Sequence, residues 1–185
     1  LRMPTASSPT GSQYLQAVGA ALSCVYRGTD EVSYVGGGEG STSEGEFFEA
    51  INWAAREKLP TIFCIQNNRF AISVPIEQQT AGGSVYKVVQ GFEGIHKFHI
   101  DGTDFLESYA TAKEAVRLAR NGEGPSFIYA DVVRLRSHSA SDSQDKYRSK
   151  EAIEKDTLKD PIAKLEIELV ARGIMTEAEI ASTRK

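Results

Sequence analysis

The chain has 185 residues, of which 41% are hydrophobic and 25% are charged, and its formal net charge is −4. This length is sufficient for one domain with a sizeable core, and the composition is typical of a globular protein. The modest charge gives no reason to expect nucleic acid or a membrane as a partner, and no apolar run approaches the length that crosses a bilayer.

Helical and strand patterns alternate along the first half of the chain. The first helix is predicted by an apolar stripe at Leu15, Val18, Leu22 and Val25. A strand at 32–35 runs into a glycine cluster, and a second strand at 61–65 begins after Pro60. Between them, Ser43 and Glu46 predict a capping box at the start of the second helix.

The second half continues this alternation. A short helix is predicted at 84–89, strands are predicted at 97–100 and 126–135, and a helix capped by Asp104 lies between those strands. A polar loop is expected to follow at 136–150.

Two further helices are predicted near the end, one opened by Asp160-Pro161 and the other capped by Thr176. Strands that alternate with helices indicate a parallel sheet with crossover connections. The expected fold is an α/β domain over 1–150, with helices on both faces of a parallel sheet and a C-terminal helical extension over 151–185.

The glycine cluster after the first strand contains one carboxylate, Glu39, and the second strand runs into the pair Asn67-Asn68. In an open parallel sheet, ligands bind at the carboxyl ends of the strands. Glycines let a ligand approach the backbone, while Mg²⁺ prefers oxygen ligands and is often completed by phosphate oxygens. These residues predict a metal-bridged diphosphate site.

The same residues also fit a flexible glycine turn and an Asn-Asn turn pair, and residue types alone leave that interpretation open. Two other phosphate-binding motifs are excluded. The Walker A spacing is present at 40–45, but Glu46 stands where that motif needs lysine. Ser41 stands where a dinucleotide fingerprint needs its third glycine.

This stretch resembles a known family. The arrangement from Gly38-Glu39-Gly40 to Asn67-Asn68 is similar to the thiamine diphosphate motif, which begins Gly-Asp-Gly and ends Asn-Asn. Three segments resemble the alpha subunit of the 2-oxo acid dehydrogenases, namely EGSTSEGEFFEAINWAA, LPTIFCIQNN and FAISVP. Glutamate in place of the motif's aspartate is most similar to the branched-chain (2-oxoisovalerate) type. The resemblance implies a thiamine diphosphate-binding fold that serves oxidative decarboxylation of a 2-oxo acid and acyl transfer to a lipoyl group.

The resemblance also implies residue roles. Mg²⁺ would be bound by Glu39, Asn68 and the backbone carbonyl of Phe70, and the N–H groups of Gly40 and Ser41 would face the diphosphate. The full set implied for the cofactor is Ser8, Thr10, Gly38, Glu39, Gly40, Ser41, Gln66, Asn68 and His138.

His138 is the candidate catalytic acid or base. It follows the predicted strand 126–135, and an imidazole can hydrogen-bond a phosphate or shuttle a proton near neutral pH. In the resembled family, a histidine at this place faces the diphosphate and the reacting centre. A loop histidine can equally be an ordinary exposed one, and His96 and His99 are interpreted as structural.

The loop 134–150 has five basic and two acidic residues among serines. From its residues alone, it is a solvated surface loop. The resemblance implies a loop that is ordered when cofactor binds and helps to dock the lipoyl domain of the next enzyme. Ser139 and Ser149 match phosphorylated positions of mitochondrial relatives. Residues 137–148 are therefore expected to be mobile without cofactor.

The loop before the first helix is rich in oxygen-bearing side chains. In branched-chain relatives the corresponding loop holds a potassium ion, which here would lie near Ser7, Ser12 and Gln13. A helix-capping loop fits these residues nearly as well.

Alpha subunits of the resembled family extend upstream of Leu1, so the chain is expected to be a fragment. They act with a beta subunit or beta half, as a heterotetramer of two alpha and two beta chains or as a dimer of a fused chain. The alternatives are another thiamine diphosphate enzyme (pyruvate or acetoin dehydrogenase, or a transketolase-like protein) and a non-catalytic subunit that keeps the fold. The expected location is the cytoplasm of a bacterium or the mitochondrial matrix of a eukaryote. Free thiols at Cys24 and Cys64 would fit such a reducing compartment.

Overall fold

The computed structural model describes residues 3, 5 and 8–184, and its centre is a four-stranded parallel sheet. The strands are β1 (Ser33–Gly38), β2 (Thr61–Asn67), β3 (Phe70–Ala71), β4 (Val74–Pro75), β5 (His96–Asp101) and β6 (Ser126–Asp131). The sheet has the order β1-β2-β6-β5, and β3 pairs with β4 in a separate antiparallel hairpin. The predicted α/β class with a parallel sheet is confirmed.

Helices connect these strands and follow the last one. They are α1 (Gln13–Arg27), α2 (Gly45–Arg56), α3 (Ile76–Gln79), α4 (Val85–Val89), α5 (Phe105–Arg120), α6 (Lys150–Thr157), α7 (Pro161–Ala171) and α8 (Glu177–Thr183). The predicted caps at Asp104, Asp160 and Thr176 are confirmed, since each side chain accepts a backbone N–H of the first turn. Among the residues described, no helix is long and apolar enough to span a bilayer.

The sheet is covered on both faces, as predicted. On one face α1, α2 and α4 bury the larger core, in which Tyr14 meets Phe47 edge-on at 5.1 Å between ring centroids. On the other face α5 packs through Ala115 against Ile100 and Ile128. None of the residues described in α6, α7 and α8 is buried, and Lys164 of α7 forms ion pairs with Asp101 and Asp104 at the end of β5.

The parallel register aligns the carboxyl ends of the four strands. Gly38 stands opposite Gln66, Asn67 stands opposite Asp131, and Asp131 also stands opposite Asp101. Polar residues from separate segments therefore meet at one edge of the sheet, which is where a parallel sheet places its ligands.

Several predicted strand bounds were wrong, and β2, for example, ends at Asn67 rather than at residue 65. β1 continues through the glycines to Gly38, because each of its residues has a partner in β2. β6 ends at Asp131 rather than at residue 135. The N–H of Val132 still donates to Asn67, but β2 and β5 both end at this level, so the apolar run beyond it has no strand to pair with.

Helix details also differ from the predictions. The capping box at Ser43 is wrong, because residues Glu39–Ser43 form a 3₁₀ segment and α2 begins after Glu44, without a side-chain cap. Helix α6 was not predicted. The buried stripe of α1 consists of Tyr14, Val18, Ala21 and Cys24, and the predicted Val25 is half-exposed. Both cysteines are free, with Cys24 buried and Cys64 partly buried.

Candidate functional site

Glu39 is the first residue after β1 and is fully buried. Its Oε2 accepts the backbone N–H of Asn68 at 3.2 Å, whereas its Oε1 is buried with no hydrogen-bond partner among the residues described. Burial raises the pKa of the Glu39 carboxyl, and nearby backbone N–H groups and the positive charge of Arg134 partly counteract this effect. A buried carboxylate oxygen without a partner is costly, so this geometry suits a cation.

Glycines make room for this carboxylate and for the turn that carries it. A side chain at Gly40 would place its Cβ 2.8 Å from Ala71 Cβ, and one at Gly37 would overlap the Tyr14 hydroxyl. That hydroxyl lies 2.6 Å from Ser41 Oγ, and Ser41 in turn donates to the carbonyl of Gly38 at 2.7 Å. Since the single Ser41 proton is used there, Tyr14 is the donor to Ser41.

The Asn67-Asn68 pair shapes a tight turn at the end of β2. Asn67 Oδ1 accepts from the backbone of Arg69, and Asn68 Oδ1 accepts from the backbone of Phe70, both at 3.1 Å. Arg69 has φ 70° and Ile72 has φ 54°, a left-handed conformation that costs energy for residues other than glycine. The turn therefore depends on these side-chain bonds, and it brings Asn68 against Glu39 as predicted.

Arg134 holds the next part of the same turn. Its guanidinium is buried, donates to the carbonyls of Phe70 and Ile72, and lies over the Phe70 ring. Arg148 lies on the same ring at 5.4 Å and forms an ion pair with Asp156 at 2.5 Å. The carbonyl of Phe70, predicted as a metal ligand, thus already accepts one hydrogen bond and keeps its second lone pair.

The candidate metal ligands predicted here are one carboxylate (Glu39), one side-chain amide (Asn68) and one backbone carbonyl (Phe70). Within the described part of the chain, no group of three or more His, Cys, Asp or Glu side chains is placed to hold a metal. A site made from Glu39, Asn68 and the carbonyl of Phe70 would offer only oxygen ligands, which fits Mg²⁺ completed by phosphate oxygens rather than a softer metal.

The other predicted cofactor residues are spread around this centre. Ser8 and Thr10 are exposed in the loop before α1. That loop passes close to the 3₁₀ segment, since a Cβ at Gly11 would lie 2.6 Å from Glu44 Cβ. Gln66 stands opposite Gly38 and also lines an apolar groove of about 380 Å³ between the sheet and α5, so its role in binding cofactor stays a prediction.

The residues predicted for potassium lie at the start of α1. Ser12 precedes this helix and donates to the carbonyl of Pro9 at 2.8 Å, and Gln13 is its first residue. Ser7 lies outside the described residues. The potassium site stays a prediction.

His138 lies in the exposed loop that follows β6, and its backbone N–H donates to Asp142 at 2.8 Å. Tyr147 donates to the same carboxylate at 2.6 Å, and Arg134 donates to the Tyr147 hydroxyl. Polar contacts within the loop 137–148 and from Arg134 therefore connect its two ends. Its mobility in solution and the catalytic role of His138 stay predictions.

Comparison with known proteins decides the family. A family model described as "Dehydrogenase E1 component" matches residues 1–185. The chain belongs to this family. It is 39% identical over 171 residues to 3-methyl-2-oxobutanoate dehydrogenase subunit alpha of Mycobacterium tuberculosis, which covers 92% of this chain and 46% of that protein.

Relatives named for two different substrates match similarly. The 2-oxoisovalerate dehydrogenase subunit alpha of Bacillus subtilis is 38% identical over 98% of this chain and 54% of its own length. The pyruvate dehydrogenase E1 alpha subunit of the same organism is 40% identical over 92% of this chain and 46% of its own length. This E1 chain therefore spans about half the length of the curated relatives it matches.

Solved structures support the fold. A Mycobacterium smegmatis enzyme described as thiamin diphosphate-dependent is 30% identical, with a TM-score of 0.55 over 69% of this chain and 23% of that chain. Transketolase from Campylobacter jejuni, at 23% identity, has a TM-score of 0.59 over 68% of this chain and 20% of its own. The latter likeness concerns the fold alone.

Several residues of this E1 chain that shape the site were not found from its sequence. Arg134 and Arg148 were assigned to a loop that is solvated or docks a lipoyl domain, and not to the site itself, although both are buried on Phe70. Tyr14 was not recognised, and Asp131, which bonds to Asn67, lay inside an over-long predicted strand. For Asp131, the signal in the sequence was a carboxylate between the apolar residues of the predicted strand 126–135.

Proposed function

We propose that this chain is the diphosphate- and Mg²⁺-binding part of a thiamine diphosphate-dependent 2-oxo acid dehydrogenase of the E1 alpha type. The observation that carries the proposal is the buried Glu39, whose Oε1 has no hydrogen-bond partner in the described part of the chain and which lies against Asn68 at the carboxyl edge of a parallel sheet. Its support is membership in the E1 family and the relatives named as alpha subunits of 2-oxo acid dehydrogenases.

Each residue would have a defined task. Glu39 and Asn68 would bind Mg²⁺ through oxygen, with the carbonyl of Phe70 as a third ligand, and the N–H groups of Gly40 and Ser41 would face the diphosphate. When bound, thiamine diphosphate supplies a ring that accepts the electron pair released as carbon dioxide leaves the 2-oxo acid. His138 would exchange a proton with the acyl group during its transfer to the lipoyl acceptor.

The assembly follows from the same proposal. The relatives are named as alpha subunits, so this chain would act with a beta subunit or beta half, and the active site would form between the two. The lipoyl domain of the acyltransferase component would dock near the loop after β6, whose basic residues include Arg136 and Lys146. A potassium ion near Ser12 and Gln13 belongs to the branched-chain version of this proposal.

The test is a calorimetric titration of the full-length polypeptide, in its native assembly, with thiamine diphosphate and Mg²⁺. We expect Mg²⁺-dependent binding in the wild type and its loss in Glu39→Ala. Glu49→Ala changes an exposed glutamate of α2 and serves as the matched control. Release of carbon dioxide from 3-methyl-2-oxobutanoate and from pyruvate then separates the two substrate classes. Equal cofactor affinity in Glu39→Ala and Glu49→Ala would refute the metal assignment.

A further inference from the structure

A second polar cluster lies at the same edge of the sheet, beside the proposed metal site. Asp131, the last residue of β6, accepts from Asn67 Nδ2 with Oδ1 at 2.7 Å. Its other oxygen, Oδ2, accepts from His99 Nε2 of the neighbouring β5 at 2.8 Å. One carboxylate therefore joins three strands of the sheet at the level where they end.

The Asn67 end of this cluster controls the turn that carries the candidate metal ligands. Asn67 is 6% exposed, and its amide has one orientation in which Nδ2 meets a carboxylate and Oδ1 meets the N–H of Arg69. Because a carboxylate only accepts, Asp131 forces this orientation. A reversed amide would leave Arg69 in a left-handed conformation without its side-chain bond.

The His99 end holds the carboxylate in place. The His99 ring packs at 4.9 Å from Tyr86 and 5.2 Å from Tyr129, measured between ring centroids. The side chains of His99 and Asp131 are 44% and 40% exposed, so their pairing contributes little to global stability. The contact is better explained by the direction it gives to Asp131 than by the stability it adds.

We propose that Asp131, braced by His99, is a positioning residue for the metal site. It acts through Asn67, whose amide fixes the turn Asn67–Phe70 so that Asn68 lies against Glu39. The inference rests on the proposed function for the identity of the metal, but the positioning itself concerns the turn and can be measured without cofactor.

The variants follow from hydrogen-bond chemistry. Asp131→Leu has no acceptor oxygen, so it can bond to neither Asn67 nor His99. His99→Leu removes the brace, whereas His99→Gln keeps an N–H donor and should behave like the wild type. His96→Gln is the matched control, since His96 lies on the same strand, at its other end, and contacts the carbonyl of Glu123.

Two measurements on the full-length polypeptide, in its native assembly, test the inference. The first is amide hydrogen exchange of a peptide spanning the turn 67–70 without cofactor, which should become faster in Asp131→Leu and His99→Leu, with helix α5 unchanged. The second is the Mg²⁺ concentration for half-maximal thiamine diphosphate binding, which should rise about tenfold, as for other groups that orient metal ligands. His99→Gln and His96→Gln should match the wild type in both.

The outcomes separate this inference from the proposed function. Unchanged exchange at the turn in both Asp131→Leu and His99→Leu would overturn the positioning role. Faster exchange with an unchanged Mg²⁺ requirement would overturn its connection to the metal. A wild type that binds no thiamine diphosphate would refute the proposed function, and hydrogen exchange would still decide whether Asp131 positions the turn.

Discussion

Two neighbouring regions at the carboxyl edge of the sheet are held in different ways. The turn at 67–72 is bonded to the strands themselves, through Glu39 and Asp131, and lies against the rigid core. The loop at 137–148 contains the exposed His138 and is held through Tyr147 and two buried arginines. We therefore expect the first region to hold a ligand in a fixed place and the second to open more readily.

The largest effect that separates the two regions is expected from His138→Ala. A positioned acid or base contributes about 10²–10⁴-fold, so turnover with a lipoyl acceptor should fall by at least about 10²-fold. Cofactor affinity should change far less than in Glu39→Ala, because Glu39 and Asn68 are untouched. Steady-state turnover and a cofactor titration, performed on the same assembled enzyme, measure the two quantities. Near-normal turnover would make His138 an ordinary loop residue.

An intermediate effect is expected from Arg148→Met, which removes the charge from the pair with Asp156 and the bond to the carbonyl of Arg134. Asp156 is partly exposed, so the free energy of local opening of the loop should fall by about 1–3 kcal/mol. This is less than the cost of breaking a fully buried ion pair. Limited proteolysis should cut the loop faster, while the melting temperature of the sheet domain changes little. Arg136→Met, at an exposed position of the same loop, is the control.

Cofactor binding should change the rate of proteolysis in the loop 137–148 but not in the turn at 67–72. If residues 137–148 open without cofactor, proteolysis should begin there and slow when thiamine diphosphate and Mg²⁺ are added to the complete enzyme. The turn at 67–72 should resist cleavage both with and without cofactor. Identical cleavage rates with and without cofactor would contradict this division of the edge into a fixed and a mobile part.

The smallest effect concerns acid. Hydrogen bonds from Tyr147 and from the backbone of His138 hold the pKa of the Asp142 carboxyl below its usual value. A lowered carboxyl pKa stabilises the folded loop above the unfolded pKa, near 4, and this contribution is lost as pH falls through the folded value. Cleavage of the loop by an acid-active protease should therefore increase below about pH 4. In Asp142→Asn this pH dependence should weaken, and the part that remains is expected from Asp145, because a hydrogen bond from Ser143 also lowers the pKa of that carboxyl. Unchanged pH dependence in Asp142→Asn would contradict the assignment to Asp142.

Sequence reasoning succeeded where the position of a residue follows from strand ends. Glu39 and Asn68 directly follow two successive strands, and parallel pairing of those strands brings them together. The contact between Asp131 and His99 was not predicted, because it depends on the register between β5 and β6, which are separated along the chain by α5. The end of β6 was predicted wrongly for a similar reason. The length of this strand is limited by its partners β2 and β5 and not by the apolar run in its own sequence.

The hydroxyl of Tyr14 occupies the volume in which a Cβ at position 37 would lie. Two positions that are distant along the chain are therefore bound by an epistatic constraint. A Cβ at position 37 would also lie 2.7 Å from Ser41 Oγ, so we expect a change of Gly37 to require a smaller Tyr14 and a displaced Ser41. The earlier change at Tyr14 removes the donor to Ser41. The order of substitutions, and not only their identity, thus limits the routes by which this part of the protein can diverge.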